Sequence, residues 1–171
     1  MNHLKQLTLA WILYADDHNG TLPPNNQWGV NAAGQKGYGW VDGMMDYNAS
    51  NRDNTNTVLL MKSVLGPYTK SPAIYKCPAD QSVVEGLGPR VRSVAMNSYV
   101  VGAGNEGFNK PDYYSYKKLS DIIRPPPVNL WVILDEREDS INDGFFGMLN
   151  DNGIQLLLQD IPAFAGDLLT S

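Results

Sequence analysis

The chain has 171 residues and a formal net charge of −5, and 43% of its residues are hydrophobic. A chain of this length and composition can bury a core of its own, so we expect one globular domain. The acidic balance argues against nucleic acid as the main partner, because a nucleic-acid interface is basic. Cys77 is the only cysteine, which excludes an internal disulfide and a zinc site built from cysteines alone.

Residues 1–20 predict a helix that starts at the beginning of the chain and stops at Asn19-Gly20, since both residues tolerate a left-handed backbone. The apolar residues expected to pack on the rest of the domain are Leu4, Leu7, Trp11 and Tyr14. A second apolar set, on another face of the helix, consists of Leu9, Ile12 and Leu13. With both sets apolar, we expect the middle of the helix to be buried over more than half of its circumference.

Residues 21–73 predict a loop region with a second helix. The helix is expected from Thr57 to Leu65, with Asn56 or Thr55 as its cap, and Gly66-Pro67 is expected to end it. Its predicted apolar face consists of Val58, Met61, Val64 and Leu65.

Residues 74–171 predict a small, mainly antiparallel sheet. A short strand that ends at Pro78 is predicted in the segment 74–80, a longer strand at 90–101, and a short helical turn at 116–122. Residues 128–136 have apolar side chains on both faces, which is typical of a central strand. The last predicted element is a hairpin of residues 145–149 and 154–158. The fold class is therefore α+β, with the N-terminal helix laid on the sheet through Trp131 and Ile133.

Little in the sequence indicates catalysis. His3 and His18 are 15 residues apart on the first helix, about 22 Å, so they cannot share a metal or form a dyad. No further histidine is present for serine or cysteine chemistry. We therefore expect a protein that is not an enzyme.

The segment LDEREDSINDGFF, residues 134–146, concentrates carboxylates after a predicted strand. Three interpretations stay open: a solvated acidic loop, oxygen ligands for calcium, or the paired acids of a glycosidase. The spacing does not match an EF-hand loop. The carboxylates concerned are Asp135, Glu136, Glu138, Asp139 and Asp143.

Aromatic residues are frequent near polar loops, which suits either a sugar-binding face or a small core under long loops. The residues concerned are Trp28, Tyr38, Trp40, Tyr47, Tyr113, Tyr114 and Tyr116.

A series of short motifs is more specific than any of these features alone. The series runs NHLKQLTLAWILYADDHNGTLPPN (2–25), WVDG (40–43), IYKCPAD (74–80), PRVRSVAMNSYV (89–100), KLSDI (118–122) and WVILDEREDSINDGFF (131–146). It resembles the bacterial pseudopilin-like proteins with a prepilin-type N-terminal cleavage and methylation segment, abundant in Verrucomicrobia and Planctomycetes. These are similar to the G-type pseudopilin of type II secretion.

The resemblance implies a pilin-like domain that spans the whole chain. Its parts would be the C-terminal half of the pilin helix (1–20), a loop region (21–73) and a sheet region (74–171). The family helix begins further upstream, in an apolar half preceded by a basic leader, so the resemblance implies a chain trimmed for solubility. The full-length protein would be anchored in the inner membrane and face the periplasm, and it would assemble with other pseudopilin subunits and contact secreted cargo.

Two site expectations follow from the resemblance. Family members commonly carry a cysteine just upstream of the segment that begins this chain, so Cys77 is a candidate for a disulfide to that residue. G-type pseudopilins bind calcium in a C-terminal loop whose ligands do not align here, and the family's usual C-terminal motif is missing. Asp135, Asp139 and Asp143 are therefore the candidate calcium ligands. The alternative to a pseudopilin is an exported carbohydrate-binding or carbohydrate-acting module.

Overall fold

The first helix, α1, spans His3–Asp17 and ends where the sequence predicts. A computed structural model describes residues 3–25, 39–100, 102, 115–124 and 126–147. Asn19 and Gly20 follow the helix with φ of 53° and 78°. This left-handed pair lets the Gly20 amide donate to the Ala15 carbonyl at 2.8 Å, which satisfies an acceptor that the helix end leaves open.

One side of α1 lies in the hydrophobic core. Leu7 and Trp11 are buried there, and Leu4 and Tyr14 pack against the cluster. The opposite side is exposed: 53% of Leu9, 38% of Ile12 and 43% of Leu13 are accessible to solvent. The expectation that the helix is buried over more than half of its circumference is therefore wrong.

Two short helices follow in the loop region. α2 spans Thr57–Lys62, and the Asn56 side chain caps it by accepting from the Val58 amide at 3.1 Å. The prediction carried this helix to Leu65, but it ends at Lys62. A further short helix, α3, spans Gly66–Thr69. Pro67 sits in the first turn of α3, where a missing amide hydrogen costs nothing, so the Gly-Pro pair starts a helix instead of only ending one.

α1 packs mainly on α3 and on a 3-10 turn at Pro72–Tyr75, and less on the sheet. The predicted strand at 74–80 is wrong, because Ser71 caps this turn by accepting from the Ala73 amide. Ile133 lies in the core. Trp131 is 46% exposed, so it does not form the buried contact between the sheet and the N-terminal helix that was expected of it.

The described sheets are small. A two-stranded antiparallel sheet consists of β1 and β2, Val83–Val84 and Gly88–Pro89. The second sheet has the order β4-β3-β5 and consists of β3 (Val94–Asn97), β4 (Ile133–Asp135) and β5 (Phe145–Phe146). Its pairing is mixed, since β3 is antiparallel to β4 and parallel to β5. Helices and small sheets together confirm the α+β class. Two of the three described strand pairings are antiparallel, in line with the expected mainly antiparallel sheet, and the β3–β5 pairing is parallel.

The central strand is β3, whose four residues are all buried. It forms only a short part of the strand predicted at 90–101. β4 lies at the edge, and the preceding part of its predicted strand forms a 3-10 turn at Pro127–Asn129. The Val128 side chain in that turn is 88% exposed, so the prediction of a central strand at 128–136 is wrong. The turn predicted at 116–122 is confirmed as a 3-10 turn at Leu119–Asp121. β5 begins the predicted hairpin, whose second strand lies outside the described residues.

A buried arginine joins three segments of the domain. Arg92 lies just before β3 and is 0% exposed. Its guanidinium donates to the carbonyls of Val94 and Asp143 at 2.9 and 2.6 Å, and to those of Gly43 and Asn142 at 3.1 and 3.2 Å. Burial lowers the pKa of Arg92 to about 10, opposed by the carboxylates of Glu136 and Asp143, so the side chain is charged at neutral pH.

Replacing this arginine is expected to destabilise the fold strongly. Arg92→Met removes the guanidinium that donates to the four carbonyls; the Asn142 carbonyl keeps the Met45 amide as a donor, and one or two other buried groups left unsatisfied cost about 3 kcal/mol. Urea unfolding of the variant should therefore show a lower midpoint with little change in slope. The matched control is Arg52→Met, because Arg52 is exposed. Equal midpoints for the two variants would contradict a structural role of Arg92.

Candidate functional site

The exposed side of α1 has three large apolar side chains. We call Leu9, Ile12 and Leu13 the apolar stripe; they lie three and four residues apart and are therefore neighbours on one helix face. Single exposed apolar residues are common, but a contiguous group on a helix is typical of a contact surface. The exposed charges Lys5 and Asp16 lie on either side of it along the helix.

A cavity of about 490 Å³ opens beside the first turn of α1. His3, Lys76, Cys77 and Asp80 are among the residues that line it. The His3 ring is held there by a hydrogen bond between its Nδ1 and the Lys76 carbonyl at 2.8 Å. Cys77 is a free, half-buried thiol, so the cysteine singled out in the sequence lies next to the beginning of the first described helix.

The segment of Cys77 is linked to the sheet through a hydroxyl. Ser93 Oγ accepts from the Cys77 amide at 2.8 Å and donates to Asp135 Oδ1 at 3.0 Å. Burial raises the pKa of Asp135, and the carboxylate of Asp80 acts in the same direction, while the Ser93 hydroxyl and His3 oppose them. Asp135, the last residue of β4, therefore has a structural partner in Ser93, just before β3.

The other two candidate calcium ligands have different surroundings. Asp139 is exposed and pairs with Arg137 at 2.7 Å. Asp143 is buried, and its side chain accepts from the Phe145 amide at 3.2 Å while its carbonyl accepts from Arg92. Across the part of the chain that the structure describes, no three side chains of histidine, cysteine, aspartate or glutamate are grouped so that they could hold a metal ion. Calcium binding by this acidic segment stays a prediction.

The aromatic residues that are described have separate locations. Trp40 is buried, and its indole donates to the Gly144 carbonyl at 2.7 Å. Tyr116 is also buried, so these two belong to the core. Tyr47 is half-exposed and lies under the Arg90 guanidinium, 4.5 Å from the ring centroid. The remaining candidates for a sugar-binding face, Trp28, Tyr38, Tyr113 and Tyr114, lie outside the described residues.

Reasoning from the sequence missed the two buried arginines. Arg90 is 1% exposed and donates to Ser82 Oγ at 3.1 Å and to the Glu138 carbonyl at 2.5 Å. Hydrophobicity in the segment RVRS selects Val91 for the core, and Val91 does pack against it, but the arginines on both sides of Val91 are buried as well. A buried arginine is exceptional unless most of its donors are satisfied. Three of the four carbonyls that accept from Arg92 belong to residues distant in the chain, Gly43, Asn142 and Asp143, which no local pattern reveals.

The chain matches no family model, and comparison with the curated proteins and with the solved structures gave no match either. Within the ranges described above, no helix is both long and apolar enough to cross a membrane.

The calcium prediction has a direct thermal test. A specific site at 100-fold saturation adds about 2.7 kcal/mol of stability, which raises the melting temperature of a domain of this size by about 5–10 °C. We expect this shift between calcium and chelator, and a smaller shift in Asp139→Asn, because Asp139 is exposed and can lose its charge without disturbing the core. The control is Glu85→Gln, another exposed carboxylate. Identical melting in calcium and chelator would refute the prediction.

Proposed function

We propose that this chain is a non-enzymatic structural subunit, the periplasmic domain of a pseudopilin or minor pilin in a type II secretion or type IV pilus-like assembly. The proposal assigns it a pilin-like fold. Its full-length form would be anchored in the inner membrane by an apolar helix half upstream of residue 1. Other pseudopilin subunits would be its partners through that helix, and secreted cargo would contact the globular part.

The observation that carries the proposal is the two-sided character of α1. Leu7 and Trp11 fasten one side of the helix to the domain, while the apolar stripe is exposed on the other. A helix that is fixed to its own domain and still presents apolar side chains outward suits a subunit that packs beside other helices. The ordered series of motifs from residue 2 to residue 146 also supports the proposal of a pseudopilin-like subunit.

The alternative is an exported carbohydrate-binding or carbohydrate-acting module. It would need aromatic side chains on an accessible face, and for catalysis two carboxyls across a cleft. Among the described aromatics, Trp40 and Tyr116 are used in the core, which reduces the material for such a face. The described aromatics that remain about half-exposed are Tyr47, beside Arg90, and Trp131.

The upstream coding sequence separates the two functions. A pseudopilin requires an apolar stretch of about 20 residues continuous with α1, preceded by a short basic leader. A secreted sugar module requires an ordinary signal peptide with its own cleavage site. Expression of the full-length product with and without a prepilin peptidase should give a shortened, membrane-associated protein only when the peptidase is present. A product that is released to the soluble fraction after signal-peptidase cleavage would refute the proposal.

A disulfide from Cys77 to a cysteine upstream of residue 1 is part of the same proposal. It is supported by the cavity, because Cys77 and His3 line it together at the beginning of α1. The full-length protein purified from an oxidising compartment should have no titratable thiol after denaturation, and two after reduction. The Cys77→Ser variant supplies the control, since it should expose one free thiol without reductant. A fully titratable Cys77 in the unreduced protein would disprove the bond.

A further inference from the structure

The charges around the apolar stripe are arranged in a regular way. Lys5 and Asp16 are both exposed and lie 11 residues apart, which is about three helical turns or roughly 16 Å. Because 11 residues is close to a whole number of turns, the two charges lie on the same side of α1. Leu9, Ile12 and Leu13 lie between them on that side. The face therefore has a cation at one end, an apolar middle and an anion at the other end.

We infer that two copies of this chain pair through the apolar stripe, with their α1 helices antiparallel. A two-fold axis midway between Lys5 and Asp16 places Lys5 of each copy opposite Asp16 of the other. The same axis brings Leu9 of one copy against Ile12 of the other. Both ion pairs and the apolar contact form together, so the contact is self-complementary and closes at two subunits.

The charge pattern selects this orientation over a parallel one. In a parallel pair at equal height, Lys5 would face Lys5 and Asp16 would face Asp16, and like charges at such short distance repel. A staggered parallel pair can form one ion pair but leaves half of the charges and much of the stripe without a partner. The antiparallel pair is the arrangement in which both charges meet opposite charges while Leu9 and Ile12 meet each other.

The pairing goes beyond the proposed function and does not depend on it. Two chains anchored in one membrane through this helix, or packed with parallel helices in a filament, could not form this contact, so the pair describes the free domain. The surface is small, with three apolar side chains from each copy and two ion pairs in the whole dimer, which is typical of weak association. We therefore expect a dissociation constant between about 10 μM and 1 mM.

The first test is sedimentation of the purified chain over concentrations up to about 1 mM, with the fold of each variant checked by its melting temperature. The chain should pass from monomer to dimer as its concentration rises. Leu13→Asn should abolish the dimer and leave folding intact, because Leu13 is already 43% exposed. The matched control is Val58→Asn, since Val58 is 53% exposed on α2, away from the stripe. A monomer at all concentrations, or a dimer that Leu13→Asn leaves unchanged, would overturn the inference.

The second test is a charge exchange, which reports orientation. Lys5→Glu and Asp16→Lys should each weaken the dimer about tenfold, because each replaces two attractions by two repulsions. The double variant Lys5→Glu with Asp16→Lys restores opposite charges in the antiparallel pair and should recover the original dissociation constant. Recovery in the double variant supports the antiparallel contact, whereas absence of recovery, or single variants that dimerise normally, would exclude it.

Discussion

The fold of the domain depends on the buried guanidinium of Arg92. The fold described here has little regular structure to stabilise it: the central strand β3 has four residues and its two neighbours have three and two. Hydrogen bonds of the sheet alone cannot hold the long connections to it. Arg92 supplies that connection, because its planar guanidinium donates in several directions at once, to β3, to the loop at Gly43 and to the loop at Asn142–Asp143. A buried charge of this kind is costly unless its donors are satisfied, so the loops are constrained to place their carbonyls around it.

The loop at Gly43 has a second support that explains how it holds its shape without strands. The buried Asn54 side chain both donates and accepts hydrogen bonds. Its amide nitrogen donates to Asp46 Oδ1 at 2.8 Å, and its oxygen accepts from the Asp46 backbone amide at 2.9 Å. Asparagine side chains thus replace the backbone partners that a hairpin would supply. The loop-rich composition is therefore compatible with a defined structure, since polar side chains satisfy the backbone where secondary structure does not.

Local signals in the sequence identify the elements whose cause is local. The end of α1 follows from Asn19-Gly20 and the start of α2 from Asn56, because both depend on residues that are neighbours in the chain. The α+β class follows from the spacing of apolar residues. The strands were predicted poorly, since a strand exists only where a partner pairs with it, and the partners of β3 come from residues 133–135 and 145–146. The apolar residues at 128–136 fit the pattern of a buried strand, but most of the segment lies at the sheet edge or on the surface.

For the candidate site, the buried side of α1 followed from helical spacing, whereas the exposure of the stripe did not. Periodicity shows that Leu9 and Ile12 share an apolar face of the helix, but only the tertiary structure shows which face the domain covers. Rotating α1 to bury the stripe would bring Leu7 and Trp11 into water, and these are 0% and 3% exposed. Full burial of such side chains is worth about 2–3 kcal/mol each, more than the partial burial that the stripe would gain. The helix is therefore locked in its present orientation by its own core. With this orientation fixed, the stripe loses its contact with water only by meeting another surface.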